Sequence, residues 1–228
     1  MKKPTIIGIL GGMGPKSTAP FLNMVIEQCE QQYGAKNDID FPHIIIYSLP
    51  TPFYIGKPIN HSKLKEVVLN GLKKLEKMGA AFIAMPCNTT HAYYEELNRK
   101  LHIPLLNIAD ETVAQIPKKS KVAIMATRST IQSNLYQSKL NQDGIQFIGS
   151  LVWQGKIDQV IQQQKSGKQS QKTLAALLNI LKKQKVDTII LACTDLTRLI
   201  TQIKGFKVVD SSKALAEATI KTYLKLNK

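Results

Sequence analysis

The sequence predicts an α/β fold with two pseudo-symmetric lobes, each a mainly parallel sheet flanked by helices. Short apolar runs alternate with amphipathic helical patterns along the 228 residues, which is the order expected of a parallel sheet covered on both faces. This order also repeats. A run leading to Cys87 returns 106 positions later as a run leading to Cys193, and Asp110 is followed 100 positions later by Asp210. Hydrophobic residues make up 43% of the chain, which is ordinary for a globular protein with a real core.

The first half contains four apolar runs with the character of strands: TIIGIL, HIIIYSL (43–49), AAFIAM and IPLLNI. A helix is predicted over Ser62–Met78, because its apolar residues keep i, i+3 and i+4 spacing and Gly79 follows where a C-terminal cap belongs. A second helix is predicted from about His91 to Lys100. We expect the fourth strand to end near Asp110.

The second half repeats this order with the strands KVAIMA (121–126), DTIILA and FKVVD. A helix to about Gln142 follows the turn TRST, and a leucine-rich helix precedes DTIILA. We predict a first lobe of residues 1–113, to which residues from about 211 to 228 return, and a second lobe of residues 114–210. Ligands of open parallel sheets bind beyond the carboxyl ends of the strands, so the expected active site lies in the cleft between the lobes.

The net charge is +15, and nearly all of the excess is lysine, since only three of the 31 basic residues are arginine. Most lysines fall on the polar faces of predicted helices, so we interpret them as a solvated coat that also attracts anionic substrates. Sequence-specific nucleic-acid binding is not indicated, because that function usually relies on arginine. Three cysteines do not form a disulfide framework, which favours the reducing cytoplasm. The sequence predicts neither a signal peptide nor a membrane span.

The three cysteines divide into one predicted core residue and two candidates for chemistry. Cys29 lies on the apolar face of the helix after the first loop and is predicted to be structural. Cys87 and Cys193, taken singly, are also compatible with a core role, but both end a strand and precede a predicted helix. The N-terminus of a helix favours the thiolate form. The residues that follow can cap the helix or donate to a substrate carboxylate: Asn88, Thr89 and Thr194.

The context of these cysteines bears on several kinds of site. A metal site is not indicated, because neither the cysteines nor the four histidines have the spacing of a zinc site. A nucleophile and base pair of Cys87 with His91 stays open, although it leaves Cys193 unexplained. Two thiols facing one ligand suit the removal of a proton from one face of a carbon and its return on the other. That chemistry also needs donors to stabilise the carbanion-like state.

Five short motifs occur in order along nearly the whole chain: GILGGMGPKST (8–18), PCNTTH (86–91), MATRSTIQSNLYQ (125–137), QKSGK (164–168) and ACTDL (192–196). Together they resemble the cofactor-independent aspartate/glutamate racemases, on the aspartate racemase side. The resemblance implies racemisation of a small anionic amino acid, aspartate first, by Cys87 and Cys193 acting as opposed acid and base. It implies no pyridoxal phosphate, no metal and a homodimer. The residues we predict to bind substrate are Met13, Asn88, Thr89, Thr127, Thr130, Lys165 and Thr194.

Two parts of the resemblance leave alternatives open. Aspartate racemases often carry an arginine after the second strand, whereas this chain has SLPTPFYIGKP, in which Lys57 is the available cation. The opening loop is compatible with a plain strand-to-helix turn or with a pocket wall formed by its N–H groups and Met13. Thr127 and Thr130 are similarly compatible with helix caps or with carboxylate donors.

The alternatives to an aspartate racemase are of two kinds. A glutamate or broad acidic amino-acid racemase of the same superfamily would use the same two cysteines, whereas a related decarboxylase or isomerase would need one. A non-catalytic anion-binding protein would have unreactive thiols.

Overall fold

The computed structural model describes residues 4–54, 58–149 and 151–228, the side chains of residues 151 and 152 excepted. The chain divides into two compact units. The first unit is Met1–Ile108 with Leu215–Lys228, and the second is Ala109–Ala214. Each unit is built around its own parallel sheet.

The described residues form seven strands and nine α-helices. The strands are β1 (Ile6–Gly11), β2 (His43–Ser48), β3 (Phe82–Ala84), β4 (Lys121–Ala126), β5 (Gln146–Phe147), β6 (Thr188–Ala192) and β7 (Lys207–Asp210). The helices are α1 (Thr18–Tyr33), α2 (His61–Lys77), α3 (Tyr94–Asn98), α4 (Ile108–Val113), α5 (Arg128–Gln132), α6 (Leu135–Gln142), α7 (Leu151–Lys165), α8 (Gln171–Lys183) and α9 (Ser211–Leu226). Four 3₁₀ helices are added at Pro15–Ser17, Asp38–Asp40, Thr89–Tyr93 and Thr194–Gln202.

Both sheets are parallel throughout. The first has the strand order β2-β1-β3 and the second the order β5-β4-β6-β7. The two orders correspond strand for strand, because the first strand of each unit pairs with both the second and the third. An isolated parallel bridge between Ile83 and Leu105 lies where β7 pairs with β6. The predicted fold class, two parallel sheets flanked by helices, is confirmed.

The core of the first unit consists of two layers on either side of its sheet. On one face, Phe21 and Val25 of α1 pack with Ile220 of α9, and Cys29 in this layer is 0% exposed. The predicted structural role of Cys29 is therefore confirmed. On the other face α2 buries four residues at helical spacing: Leu64, Val68, Leu72 and Leu75.

The second unit has the same layered construction. On one face of its sheet, α7 and α8 bring Trp153, Ile157, Leu174 and Leu177 into a buried cluster that also contains Cys193. The opposite face is covered by a cluster that includes Tyr136 and Leu140 of α6.

Three local predictions were wrong. The run IPLLNI is not a strand. It makes the single bridge at Leu105, and Asp110 lies inside α4, where its carboxylate contacts the ammonium of Lys139. The helix predicted from His91 to Lys100 is a 3₁₀ helix, Thr89–Tyr93, followed by the short α3. The helix predicted up to Gln142 is broken into α5 and α6 at Asn134, whose φ is 55°.

Across the described ranges, none of the helices combines the length and apolar character that crossing a membrane requires.

Candidate active site

The two candidate cysteines follow corresponding strands of the two units. Cys87 lies three residues after β3, and Cys193 follows β6 directly. Each strand runs parallel to the first strand of its own unit, so each cysteine stands at the carboxyl edge of its sheet. A 3₁₀ helix begins within two residues of each cysteine. The repeated context predicted from the sequence is thus present in both units.

The Cys87 segment is buried and held by backbone and side-chain hydrogen bonds. Cys87 is 8% exposed, and it belongs to an apolar cluster against which Met13 packs. Its N–H donates to the carbonyl of Met85 at 2.8 Å. Its own carbonyl accepts from Thr90 Oγ1 at 3.1 Å and contacts His91 Nδ1 at 2.8 Å.

His91 directs both ring nitrogens at backbone carbonyls. Nδ1 contacts the carbonyl of Cys87, and Nε2 lies 3.2 Å from the carbonyl of Leu106. These contacts do not support the alternative in which His91 is the base for the Cys87 thiol. They show instead that His91 ties the Cys87 segment to the chain beyond α3.

Tyr93 is a second neighbour of Cys87 that the sequence did not single out. Burial raises the pKa of its hydroxyl, and the charges of Cys87 and Glu96 raise it further. The hydroxyl also forms a short hydrogen bond with Nδ1 of His61, at the start of α2. The only sequence signal for Tyr93 was its place six positions after Cys87, on the predicted helix.

Asn88 and Thr89 lie directly after Cys87. Asn88 is 4% exposed and occupies the position before the 3₁₀ helix, but its side chain does not cap that helix. Thr89 is the half-buried first residue of the helix. Of the two predicted uses of Asn88, side-chain capping is therefore wrong.

The opening loop makes close backbone contact with the end of β2. Gly12 has φ of 90°, and a Cβ atom built on it would lie 2.4 Å from the carbonyl oxygen of Leu49. The N–H of Gly12 donates to Thr18 Oγ1 at 2.9 Å. Only glycine combines this φ with this approach, so the loop is a tight strand-to-helix turn, and Met13 in it packs against the cluster that contains Cys87.

Cys193 has a charged pair beside it. Its Sγ donates to Asp195 Oδ2 at 3.7 Å, and Lys165 Nζ lies 3.5 Å from the same oxygen. Cys193 is 8% exposed, and the side chains of Lys165 and Asp195 are 25% and 16% exposed. A carboxylate that accepts from a thiol favours the protonated thiol, and the lysine opposes that effect.

The structure brings Lys165 to Cys193 through Asp195, a residue that the sequence analysis did not single out. Its position two residues after the cysteine is the signal that could have identified it. Thr194 begins the 3₁₀ helix that carries Asp195 and is half-buried.

Thr127 and Thr130 form one small hydrogen-bonded unit at the end of β4. Thr127 is the N-cap of α5, and its Oγ1 accepts from the N–H of Thr130 at 3.3 Å. The two hydroxyl oxygens are 3.0 Å apart, and Thr130 is 1% exposed. Capping is therefore an observed role of Thr127.

Asp210 is a buried acid at the end of β7. Asp110, which was predicted to occupy the corresponding position in the first lobe, lies in α4 instead. Burial raises its pKa above the ordinary value, although hydrogen bonds from Thr197 and from the N–H groups of Lys213 and Ser212 act in the opposite direction. Those N–H groups lie 3.1 Å and 2.7 Å from Oδ1. Asp210 therefore accepts hydrogen bonds from backbone N–H groups in the first turn of α9.

Lys57 lies outside the described residues. In the part of the chain that is described, no cluster of three or more histidine, cysteine, aspartate or glutamate side chains could hold a metal ion.

Comparisons with known proteins show which family the chain resembles. A model of the Asp/Glu/hydantoin racemase family matches residues 10–219. A broad specificity amino-acid racemase of Bacillus subtilis (strain 168) is 46% identical over 223 residues, which are 96% of this chain and 98% of that protein. A glutamate racemase of Aquifex pyrophilus is 31% identical over 157 residues, which are 62% of this chain and 58% of that protein.

A solved structure is similar over almost the whole chain. The aspartate racemase of Picrophilus torridus superposes with a TM-score of 0.79 at 29% identity, covering 96% of this chain and 94% of the other. The chain belongs to the Asp/Glu/hydantoin racemase family and is an isomerase of the racemase class.

Proposed function

We propose that the protein racemises amino acids without a cofactor, by a two-base mechanism in which Cys87 and Cys193 act on opposite faces of the α-carbon. One observation carries the proposal: the cysteines follow corresponding strands of two units with matching strand order. A core role for one cysteine would not require the same placement of the other. The proposal requires the two sulfur atoms to approach one α-carbon from opposite sides, each at about 3–3.5 Å.

The proposed reaction is a paired proton transfer. The thiolate of one cysteine takes the α-proton, so a C–H bond breaks, an S–H bond forms and the electron pair remains on the substrate. The thiol of the other cysteine then donates its proton to the opposite face of the carbon. The reverse direction exchanges the two roles, and no electrons enter or leave.

The developing negative charge spreads onto the substrate carboxylate and needs fixed donors. We assign this role to polar residues that follow the strands of both units: Asn88, Thr89, Thr127, Thr130 and Thr194. The assignment is supported in the first unit by the place of Asn88, which is buried directly after Cys87 at the start of a 3₁₀ helix. In the second unit Thr127 and Thr130 already bond to each other, so binding would redirect a hydroxyl of this pair toward the carboxylate. Met13 would form an apolar wall.

For Lys165 we propose a role other than direct binding of the substrate carboxylate. Its ammonium is 3.5 Å from Asp195, which in turn accepts from Cys193. We assign it the task of limiting the effect of Asp195, so that the Cys193 thiol stays able to exchange its proton.

The proposed substrate range is broad and includes aspartate. The segment after β2, SLPTPFYIGKP, contains no arginine to form a bidentate pair with a second carboxylate. A relative that is 46% identical is a broad specificity amino-acid racemase, whereas the aspartate racemase of P. torridus is 29% identical. Strict selection of aspartate would need a cation in this region, for which Lys57 is the candidate.

The decisive experiment is α-proton exchange in heavy water with each enantiomer, followed by mass spectrometry and circular dichroism. We expect Cys87→Ala and Cys193→Ala to abolish racemisation. Each variant should retain slow exchange of one enantiomer only, and the two variants should retain opposite enantiomers. Cys29→Ala, which removes the thiol of the core, is the matched control and should still racemise. Racemisation that survives loss of either Cys87 or Cys193 would rule out the two-base mechanism.

A panel of acidic, neutral and basic amino acids tests the substrate range. Turnover of aspartate or glutamate alone would contradict broad specificity while leaving the mechanism intact. We also propose a homodimer in the cytoplasm. Light scattering of the protein as it elutes from a size-exclusion column would test the dimer. Fractionation of the source cells would test the compartment.

A further inference from the structure

The ring of His91 lies between two hydrogen-bond acceptors. His91 is 1% exposed, with Nδ1 at 2.8 Å from the carbonyl oxygen of Cys87 and Nε2 at 3.2 Å from that of Leu106. A neutral imidazole has one N–H donor and one acceptor nitrogen, and a carbonyl oxygen only accepts. A neutral ring can satisfy one of these contacts and would face the other with a lone pair. An imidazolium ring donates to both.

The two segments that carry these carbonyl groups are held by backbone hydrogen bonds. The N–H of Leu106 donates to the carbonyl of Ile83 at 2.9 Å, and the N–H of Ile83 donates to Pro104 at 2.9 Å. The Leu106 carbonyl is therefore attached to the edge of β3. On the other side the N–H of Cys87 is bonded to Met85. These bonds hold the two segments in place, and Thr90 Oγ1 donates to the Cys87 carbonyl itself at 3.1 Å.

The Tyr94 ring lies nearly parallel to the His91 ring. The two ring centroids are 6.1 Å apart and the planes are 7° from parallel, so the rings are offset, and the Tyr94 hydroxyl donates to the carbonyl of Leu105 at 3.0 Å. Burial opposes a charge on His91, and the two carbonyl acceptors favour it.

The titratable groups near this ring include members of its own segment and of α2. The His91 ring contacts the Cys87 carbonyl and the Tyr94 ring, and the Tyr93 hydroxyl, which bonds to His61, lies near Cys87. A thiol has a lower ordinary pKa than a phenol hydroxyl and becomes an anion when it loses its proton. The Cys87 thiol is therefore the group that a cation in this segment converts most readily to its charged form.

We propose that His91 is an imidazolium ion in the folded protein and that its charge holds Cys87 as the thiolate. His91 is then a positioning residue, which acts on the substrate only through Cys87. Its catalytic consequence rests on the proposed function: Cys87 would be the resting base, and Cys193, whose Sγ donates to Asp195, the resting acid.

The protonation state can be read directly from the ¹⁵N chemical shifts of the histidine rings. The two ring nitrogens have similar shifts in imidazolium and widely separated shifts in neutral imidazole. The chain has four histidines, and His91→Gln identifies the signals of His91. We expect His91 to keep the imidazolium pattern at about pH 8, where an unperturbed histidine is neutral. His43, which is exposed at the start of β2, serves as the internal reference. Widely separated His91 shifts at neutral pH would overturn the proposal.

A second readout follows the Cys87 thiol itself. Alkylation by iodoacetamide is measured against pH, with the Cys87 peptide quantified by mass spectrometry. We expect His91→Gln to raise the pH midpoint of Cys87 alkylation by about one unit, and His102→Gln to leave it unchanged. An unchanged midpoint in His91→Gln would refute the effect on the thiol. If His91→Gln does not fold, the wild-type ring shifts, assigned from the other histidine variants, still decide the protonation state. Neither readout uses a substrate, so this proposal can fail while racemisation stands, and the reverse.

Discussion

Replacing Asp195 by asparagine should lower the pH at which Cys193 becomes reactive. The Sγ of Cys193 donates to Asp195 Oδ2 at 3.7 Å. A carboxylate at that distance stabilises the thiol and repels the thiolate. Asparagine keeps the size of the side chain and removes its negative charge, so the thiolate should form more easily in the variant.

The magnitude follows from two opposing charges. A carboxylate and a thiolate 3.7 Å apart repel by about 4.5 kcal/mol at an effective dielectric constant of about 20. Lys165 Nζ lies 3.5 Å from the same carboxylate oxygen and cancels a large part of that repulsion. Both side chains are also partly exposed, so solvent screens the remainder. We expect a net shift of about one pH unit, which is about 1.4 kcal/mol.

The assay is alkylation of Cys193 against pH, with the Cys193 peptide quantified by mass spectrometry. Asp195→Asn should lower the midpoint, and Lys165→Met should raise it, because the carboxylate then acts uncompensated. The double variant should lie close to Asp195→Asn, since the lysine acts mainly through the carboxylate. Asp143→Asn, at an exposed site after α6, is the control and should have no effect. A midpoint that stays the same or rises in Asp195→Asn would refute the reasoning.

Three further predictions concern the supports of the site. Gly12→Ala should lower the free energy of unfolding, measured in urea, by more than about 2 kcal/mol. The reason is that φ is 90° and the new Cβ would lie 2.4 Å from the Leu49 carbonyl oxygen. A loss of stability below about 0.5 kcal/mol would contradict this close approach. Thr127→Ala should cost about 1 kcal/mol by removing the cap on the Thr130 N–H, and Thr127→Ser should restore it. Burial raises the pKa of Asp210 in the folded state, so the folded protein binds the proton more tightly and loses stability as the pH rises from about 4 through that pKa. Asp210→Asn should remove this loss in unfolding measured at several pH values, and an unchanged pH dependence would show that Asp210 is not its source.

The sequence by itself was sufficient to predict the layered architecture and the repeat of the two units. Apolar runs and helical spacing are local properties, and β1, β4, β6 and α2 lie where those patterns predict them. The core role of Cys29 followed from its place on one helical face. The positions of the two other cysteines near strand ends also followed from local order, because Cys193 comes directly after an apolar run and Cys87 is separated from one by Pro86 alone.

Local patterns gave wrong secondary-structure predictions in segments that include IPLLNI and the residues after Cys87. IPLLNI has the composition of a strand, but Pro104 has no N–H to donate, and α4 begins at Ile108, so one bridge at Leu105 is all that forms. The segment after Cys87 was predicted as a regular helix. It begins as a 3₁₀ helix, in which Thr90 Oγ1 bonds to the carbonyl of Cys87, as threonine side chains often do in competition with the α-helix.

The electrostatic setting of each cysteine was decided by the tertiary structure. Lys165 and Asp195 are 30 positions apart in the sequence and meet because α7 packs against the 3₁₀ helix after Cys193. The contact between His91 and the carbonyl of Leu106 likewise depends on the pairing of that segment with β3. Composition and spacing determined that two thiols stand at corresponding strand ends. Which charge lies beside each thiol depends on contacts between distant segments, and a one-dimensional pattern does not contain those distances.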